Sequence, residues 1–190
     1  MRQAACGKPE GWERPFLPGI LLVFPPDRTR AKVDRLRWKL DPDSAAKVPA
    51  HITVTQPFRD QPDDEAFARV RDVLAGFEPF EVKYGPLRNF LPCPCIWFRI
   101  EPTGMLVEMR RALHATGLFN TDLPHTDDFI PHMSVTDGKP CAEETEELFR
   151  DLRGKVRGGR FKVDRLAYTR PDWQLRFLTV AELPLGKPAR

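Results

Sequence analysis

The chain has 190 residues and a formal net charge of +3, with 41% hydrophobic and 30% charged residues. That balance suits a soluble globular fold with a sizeable core, and so small a charge excess excludes a bulk polycation that binds nucleic acid by charge alone. No apolar run approaches the roughly eighteen residues that a spanning helix needs.

The start, Met1 to Arg14, is polar and lacks the apolar stretch of a secretory leader. Residues 1–17 read as a flexible N-terminal segment, and residues 18–186 as a single domain of two lobes. Residues 19–24, Gly-Ile-Leu-Leu-Val-Phe, form a short apolar run ended by Pro25-Pro26, the mark of a buried strand. Asp27 is placed to cap a helix carrying Val33, Leu36 and Leu40 on one face. Pro42 and Pro49 bracket a loop into a strand over residues 50–55. Pro62-Asp63-Asp64-Glu65 opens a second helix with Phe67, Val70 and Leu74 inward, and Gly76 stops it. Strands then fit Phe80–Tyr84 and Cys95–Ile100.

From there the order repeats. A helix carries Leu106, Met109 and Leu113 and ends at Gly117. The polar stretch Leu118 to Asp128 exceeds the usual connection length, so it reads as a mobile cover over a cleft. His114 and His125, in or beside it, read as solvated. A strand beginning at His132 follows, and then a helix through Leu148, Phe149 and Leu152 that stops at Gly154. Its first half holds Glu143, Glu144, Glu146 and Glu147, where carboxylates suit the helix dipole. Phe161–Tyr168 and Leu175–Ala181 read as strands, for a total of about four helices and seven strands.

His51-Ile52-Thr53-Val54 returns as His132-Met133-Ser134-Val135, and both this pair and Phe80-Glu81-Val82 with Phe161-Lys162-Val163 are 81 residues apart. Matched spacing makes the chain a duplication, whose equivalent strands are expected to face one another across a cleft. Alternation puts each histidine and its Thr or Ser on one strand face and the apolar pair on the other. Phosphodiester cleavage needs one proton removed and another delivered, and an imidazole with a pKa near 6.5 can do either. Thr53 and Ser134 can donate hydrogen bonds to nonbridging oxygens as charge grows there. The histidine strands offer no carboxylates for magnesium, so no metal or cofactor is expected. Cys6, Cys93, Cys95 and Cys141 make no disulfide framework, and Cys93-Pro94-Cys95 lacks a second ligand pair for zinc; reduced thiols in a cytoplasm are expected.

With these paired motifs the chain resembles the 2H phosphoesterase superfamily, which includes 2′,5′ RNA ligase-like proteins and RNA 2′,3′-cyclic phosphodiesterases. The resemblance runs from Pro18 to Leu185. It implies a bilobal α+β fold, two antiparallel sheets with flanking helices around a central cleft. It also implies opening of a 2′,3′-cyclic phosphate on an RNA end or nucleotide without metal or ATP, or 2′,5′ ligation in reverse. His51 and His132 would be the acid/base pair, Thr53 and Ser134 the phosphate anchors. The first copy continues as Thr55-Gln56-Pro57-Phe58, like the family's variants with Pro-Phe after the motif. Many relatives carry an arginine after the second motif, where this chain has Thr136-Asp137-Gly138.

A nucleotide wants a plane for its base and cations for flanking phosphates. Phe58, Tyr168 and Arg176 are the candidates for these roles: the first two lie at or just after the ends of strands expected to reach the cleft, and Arg176 alternates with Leu175 and Phe177 and so points into the cleft or into water. Trp173, Arg88 and Arg99 are further candidates. The expected protein is a cytoplasmic monomer acting on an RNA end or cyclic nucleotide, with no membrane partner.

Overall fold

A computed structural model describes residues 11, 13–91, 93–137 and 141–187. Most of the segment expected to be flexible lies outside these residues, as do Cys6 and Gly138. Within the described part of that segment, Arg14–Phe16 forms a 3-10 turn, and the Phe16 ring meets Phe177 edge-on at 6.3 Å.

In chain order the elements are β1 (Ile20–Val23), α1 (Asp27–Leu40), α2 (Pro42–Lys47), β2 (Ile52–Thr53), α3 (Asp64–Leu74), β3 (Phe80–Phe90), β4 (Cys93–Glu101), α4 (Gly104–His114), β5 (His132–Ser134), α5 (Ala142–Leu152), β6 (Gly159–Val163), β7 (Arg165–Pro171) and β8 (Phe177–Pro184). They build two four-stranded sheets, in the orders β2-β1-β7-β8 and β5-β4-β3-β6. Every pairing is antiparallel. The fold is therefore α+β with two antiparallel sheets.

Each half contributes apolar faces to one core. β1 is buried along its whole length because β2 and β7 flank it. Val33, Val70, Leu74, Leu106, Met109 and Leu113 project into that core from the helices, with Leu36, Leu40, Phe67, Leu148, Phe149 and Leu152 packed around it. Each fully buried aliphatic side chain contributes about 1.5–3 kcal/mol. Helix α3 starts as its sequence suggests, with the Asp63 carboxylate accepting from Ala66 N at 2.8 Å.

Several expectations change. The stretch between Pro42 and Pro49 contains helix α2, with Pro42 in its first turn and the Asp41 carboxylate accepting from Ser44 N at 3.1 Å. Asp27 lies inside the first turn of α1 rather than capping it, and pairs with Arg30 at 2.6 Å. The strand expected over Phe161–Tyr168 is two strands: β6 ends at Val163, the chain changes sheets at Asp164, and β7 joins β1. Asp164 O accepts from Leu185 N at 2.8 Å, which pins that crossing.

β3 and β6 are direct neighbours, with Phe80 opposite Val163, Glu81 opposite Lys162 and Val82 opposite Phe161. The 81-residue shift carries this register onto itself, so the local pseudo-twofold passes between Glu81 and Lys162. These equivalent strands therefore meet side by side in one sheet and do not face one another across a gap. The histidine strands β2 and β5, each at the edge of its own sheet, come into contact where the sheets approach.

Candidate active site

Alternation along β2 and β5 sorts the motif residues by chemistry. Ile52, Val54, Met133 and Val135 are fully buried, whereas His51, Thr53, His132 and Ser134 keep partial exposure. Strand pairing aims the second set: Thr53 lies opposite Leu22 on β1, and Ser134 lies opposite Trp97 on β4.

The two imidazoles are held alike. His51 Nδ1 lies 2.7 Å from Pro49 O, and His132 Nδ1 lies 2.7 Å from Ile130 O. A carbonyl can only accept, so each Nδ1 carries the proton and donates. The neutral ring then presents Nε2 as a free acceptor, the tautomer a proton-transfer group needs.

Burial, reinforced by the positive charge of Arg37, pushes His51 down to about 4; the Pro49 hydrogen bond and Asp137 act the other way. A protonated His132 would lower it further, so the two rings resist carrying charge together. Burial also lowers His132, opposed by the Ile130 hydrogen bond and Asp137. Asp137 thus favours the protonated form of both. Its backbone N donates to Asp41 Oδ2 at 2.8 Å, joining the end of the second motif to the cap of α2.

A buried network fixes the chain entering β2. Arg37, 1% exposed, donates to Val48 O at 2.6 Å and to Ser44 O and Oγ. It also meets Asp34 Oδ1 at 3.2 Å, and that oxygen accepts from Ala50 N at 2.7 Å. Val48 and Ala50 are both held, and Pro49, whose carbonyl orients His51, lies between them.

Thr55 and Thr136 escaped the sequence reading. Both are fully buried, and their hydroxyls accept from Leu21 N at 3.2 Å and from Ile96 N at 3.0 Å. Each replaces a ladder bond just past its histidine strand. Their signal was present in the sequence, since each follows its motif's Thr or Ser by two positions in both copies.

Of the residues expected to hold the rest of a substrate, Phe58 and Tyr168 face the core, and Arg176 and Trp173 sit in the turn before β8. Phe58 is buried, tilted against Phe119 at 4.4 Å and edge-on to Tyr168 at 5.5 Å. Tyr168 is 1% exposed because it lies opposite Leu21, on the core face of β7. Its hydroxyl donates to Pro18 O at 2.7 Å and accepts from Gln61 at 3.1 Å. Arg176 sits in the turn before β8, where Nε meets Asp172 Oδ2 at 2.8 Å, and Trp173 projects from the same turn into solvent. The aromatic rings beside the histidines are Phe24 at His51 and Phe90 and Trp97 at His132. Arg99 lies directly opposite His132.

The long connection is tethered, contrary to its reading as a mobile cover. Gln56 Nε2 donates to Pro124 O and Thr126 Oγ1, both at 2.9 Å. Arg110 donates to His125 O at 3.0 Å and to Val54 O at 2.9 Å, bridging the first motif and the approach to the second. His114 is not solvated: its Nε2 accepts from Gln56 N at 3.0 Å, and burial pushes it down to about 4. His125 is exposed, as expected, and sits 3.1 Å from Asp128. Among the described residues, no three His, Cys, Asp or Glu side chains gather where they could hold a metal ion.

The family model of the 2′-5′ RNA ligase superfamily matches residues 25–172, well over half of the chain. The chain belongs to that superfamily. Its fold is similar to that of E. coli LigT crystallised with 3′-AMP, at TM-score 0.58 and 16% identity over 89% of this chain and 98% of that one. A Thermus thermophilus protein is similar at TM-score 0.58 and 18% identity, over 90% and 99% of the two chains. A structure described as a phosphoesterase is similar at TM-score 0.56 and 15% identity, over 89% and 98%. No curated protein sequence matches the chain. Among the described residues of this superfamily member, no helix is long and apolar enough to cross a membrane.

Proposed function

We propose that the protein opens 2′,3′-cyclic phosphates, on RNA ends or nucleotides, by acid/base catalysis between His51 and His132. The observation that carries this reading is the matched pair of Nδ1–carbonyl hydrogen bonds, which present two Nε2 atoms from adjoining strands. In the reaction a neutral imidazole takes a proton from water as its oxygen attacks phosphorus. The partner imidazolium gives a proton to the departing 2′ or 3′ oxygen, and the product is a phosphomonoester. Thr53 and Ser134 donate to the nonbridging oxygens, where charge builds in the transition state. Ligation through a 2′,5′ bond runs the same proton transfers with a 5′-hydroxyl in place of water, in keeping with the superfamily's description. Complexes of LigT with 3′-AMP, ATP and NADP+ support a nucleotide-sized substrate. The proposed setting is the cytoplasm, in keeping with the free thiols of Cys95 and Cys141.

Hydrolysis of 2′,3′-cyclic nucleotides and of RNA ending in a cyclic phosphate, in excess chelator, tests the reading. We expect turnover that survives chelation, follows a bell-shaped pH profile and disappears in His51→Ala and in His132→Ala. Turnover abolished by chelator would refute the two-histidine mechanism. RNA-end binding without turnover on any cyclic phosphate would make the protein a binding module.

A further inference from the structure

The two halves match at the histidines and differ beside them. In the sheet that carries His51 the residue opposite Thr53 is Leu22, and next to it on β7 lies Ala167. In the sheet that carries His132 the residue opposite Ser134 is Trp97, and next to it on β3 lies Arg88. A large aromatic ring and a cation therefore stand in the His132 sheet where the His51 sheet has two small or aliphatic side chains. Phe90 lies parallel to Trp97, with centroids 4.4 Å apart and planes 19° apart, and both rings meet the His132 imidazole, at 5.1 and 5.7 Å. Among the described residues His51 has one aromatic neighbour, Phe24, edge-on at 6.4 Å.

We propose that Phe90, backed by Trp97, is the platform on which the base of the substrate nucleotide stacks, so that the nucleoside lies on the His132 side of the cleft. This rests on the nucleotide phosphodiesterase reading above. Trp97 is 7% exposed whereas Phe90 is only partly buried, so the indole serves as the fixed underlayer and Phe90 as the accessible plane. A plane held by a second ring loses little freedom when a base lands on it. The Trp97 indole N–H is buried without an acceptor among the described residues, whereas a tryptophan placed for packing alone usually directs that group to a partner. The ring is set for its face rather than its edge. A base one ribose away from a phosphate between the imidazoles falls beside His132, within reach of this plane, and Arg88 follows in the same row as a cation for the next phosphate.

Calorimetric titration of adenosine 3′-monophosphate and of base-free ribose 3-phosphate into wild type, Phe90→Leu and Phe90→Tyr separates a platform from a ring that only packs against His132. Phe90→Leu should weaken the nucleotide by about 5- to 150-fold, the range for losing one base–aromatic stack. It should leave ribose 3-phosphate unchanged, and Phe90→Tyr should bind both like wild type. Equal weakening of both ligands, no weakening of either, or no nucleotide binding by wild type overturns the platform. Base-dependent binding together with no turnover of any cyclic phosphate would retain the platform and refute the reaction.

Discussion

Arg37→Met separates the two ways in which Arg37 acts on His51. The guanidinium is buried among Val48 O, Ser44 O, Ser44 Oγ and Asp34 Oδ1. Methionine fills much of the stem's volume but leaves these acceptors without their donor. Removing one member of a buried, charge-assisted set costs about 3–5 kcal/mol, a large share of a stability of about 5–15 kcal/mol. The midpoint of urea unfolding should fall accordingly, with the slope unchanged.

The electrostatic consequence is a rise in the His51 pKa, and because relief of burial would act in the same direction, the charge-keeping Arg37→Lys variant is the control that separates the two. Arg37 lowers the His51 pKa from its ordinary value, second only to burial, so its removal should raise that pKa. A proton NMR titration of the His51 ring would read this directly, and one limb of the pH–rate profile should move upward with it. Arg37→Lys keeps the charge and loses the fork, so it should be destabilised while His51 titrates close to wild type. A His51 pKa that falls or stays fixed in Arg37→Met would refute the electrostatic account. Stability equal to wild type in the same variant would refute the bracing of Pro49.

Stability itself should depend on pH through the buried imidazoles. His51 and His114 are pushed down to about 4, and His132 is also lowered, so the unfolded chain takes up these protons first as pH falls below about 6.5. Unfolding free energy is then complete above that value and declines toward pH 4, by up to about 3 kcal/mol for a fully shifted histidine; urea titrations at pH 7.5 and 5 check the slope, which should be shallower in His114→Gln. Thr55→Val and Thr136→Val should each cost about 1–3 kcal/mol by orphaning Leu21 N or Ile96 N, and thermal unfolding that shows no loss in either would refute the hydroxyl-for-backbone substitution. Cys95 is buried and pushed up to about 12 chiefly by that burial, whereas Cys93 and Cys141 are exposed. A thiol reagent followed by peptide mapping should therefore modify Cys93 and Cys141 in the native protein and Cys95 only after unfolding.

The residues legible in the sequence are those the duplication repeats. His51 and His132, with their Thr or Ser, recur at one spacing, and alternation sends Ile52 and Met133 into the core and the polar members outward. Helix faces such as Val70 and Leu74 follow the same periodic logic. Helix α2 was not legible because six residues between two prolines carry no period, and its start depends on the cap supplied by Asp41. Tyr168 illustrates a different limit. A tyrosine near a strand end suits either face, and only its register opposite Leu21 assigns it to the core. Phe90 was missed because Gly85-Pro86 resembles the end of a strand, yet β3 passes through an irregularity there and continues to Phe90. These misses share a cause. The proposed proton transfer uses residue types that both halves retain, so self-comparison exposes them. The proposed choice of nucleoside rests on positions where the two sheets diverge, Trp97 against Leu22 and Arg88 against Ala167, and these become comparable only once strand register aligns them.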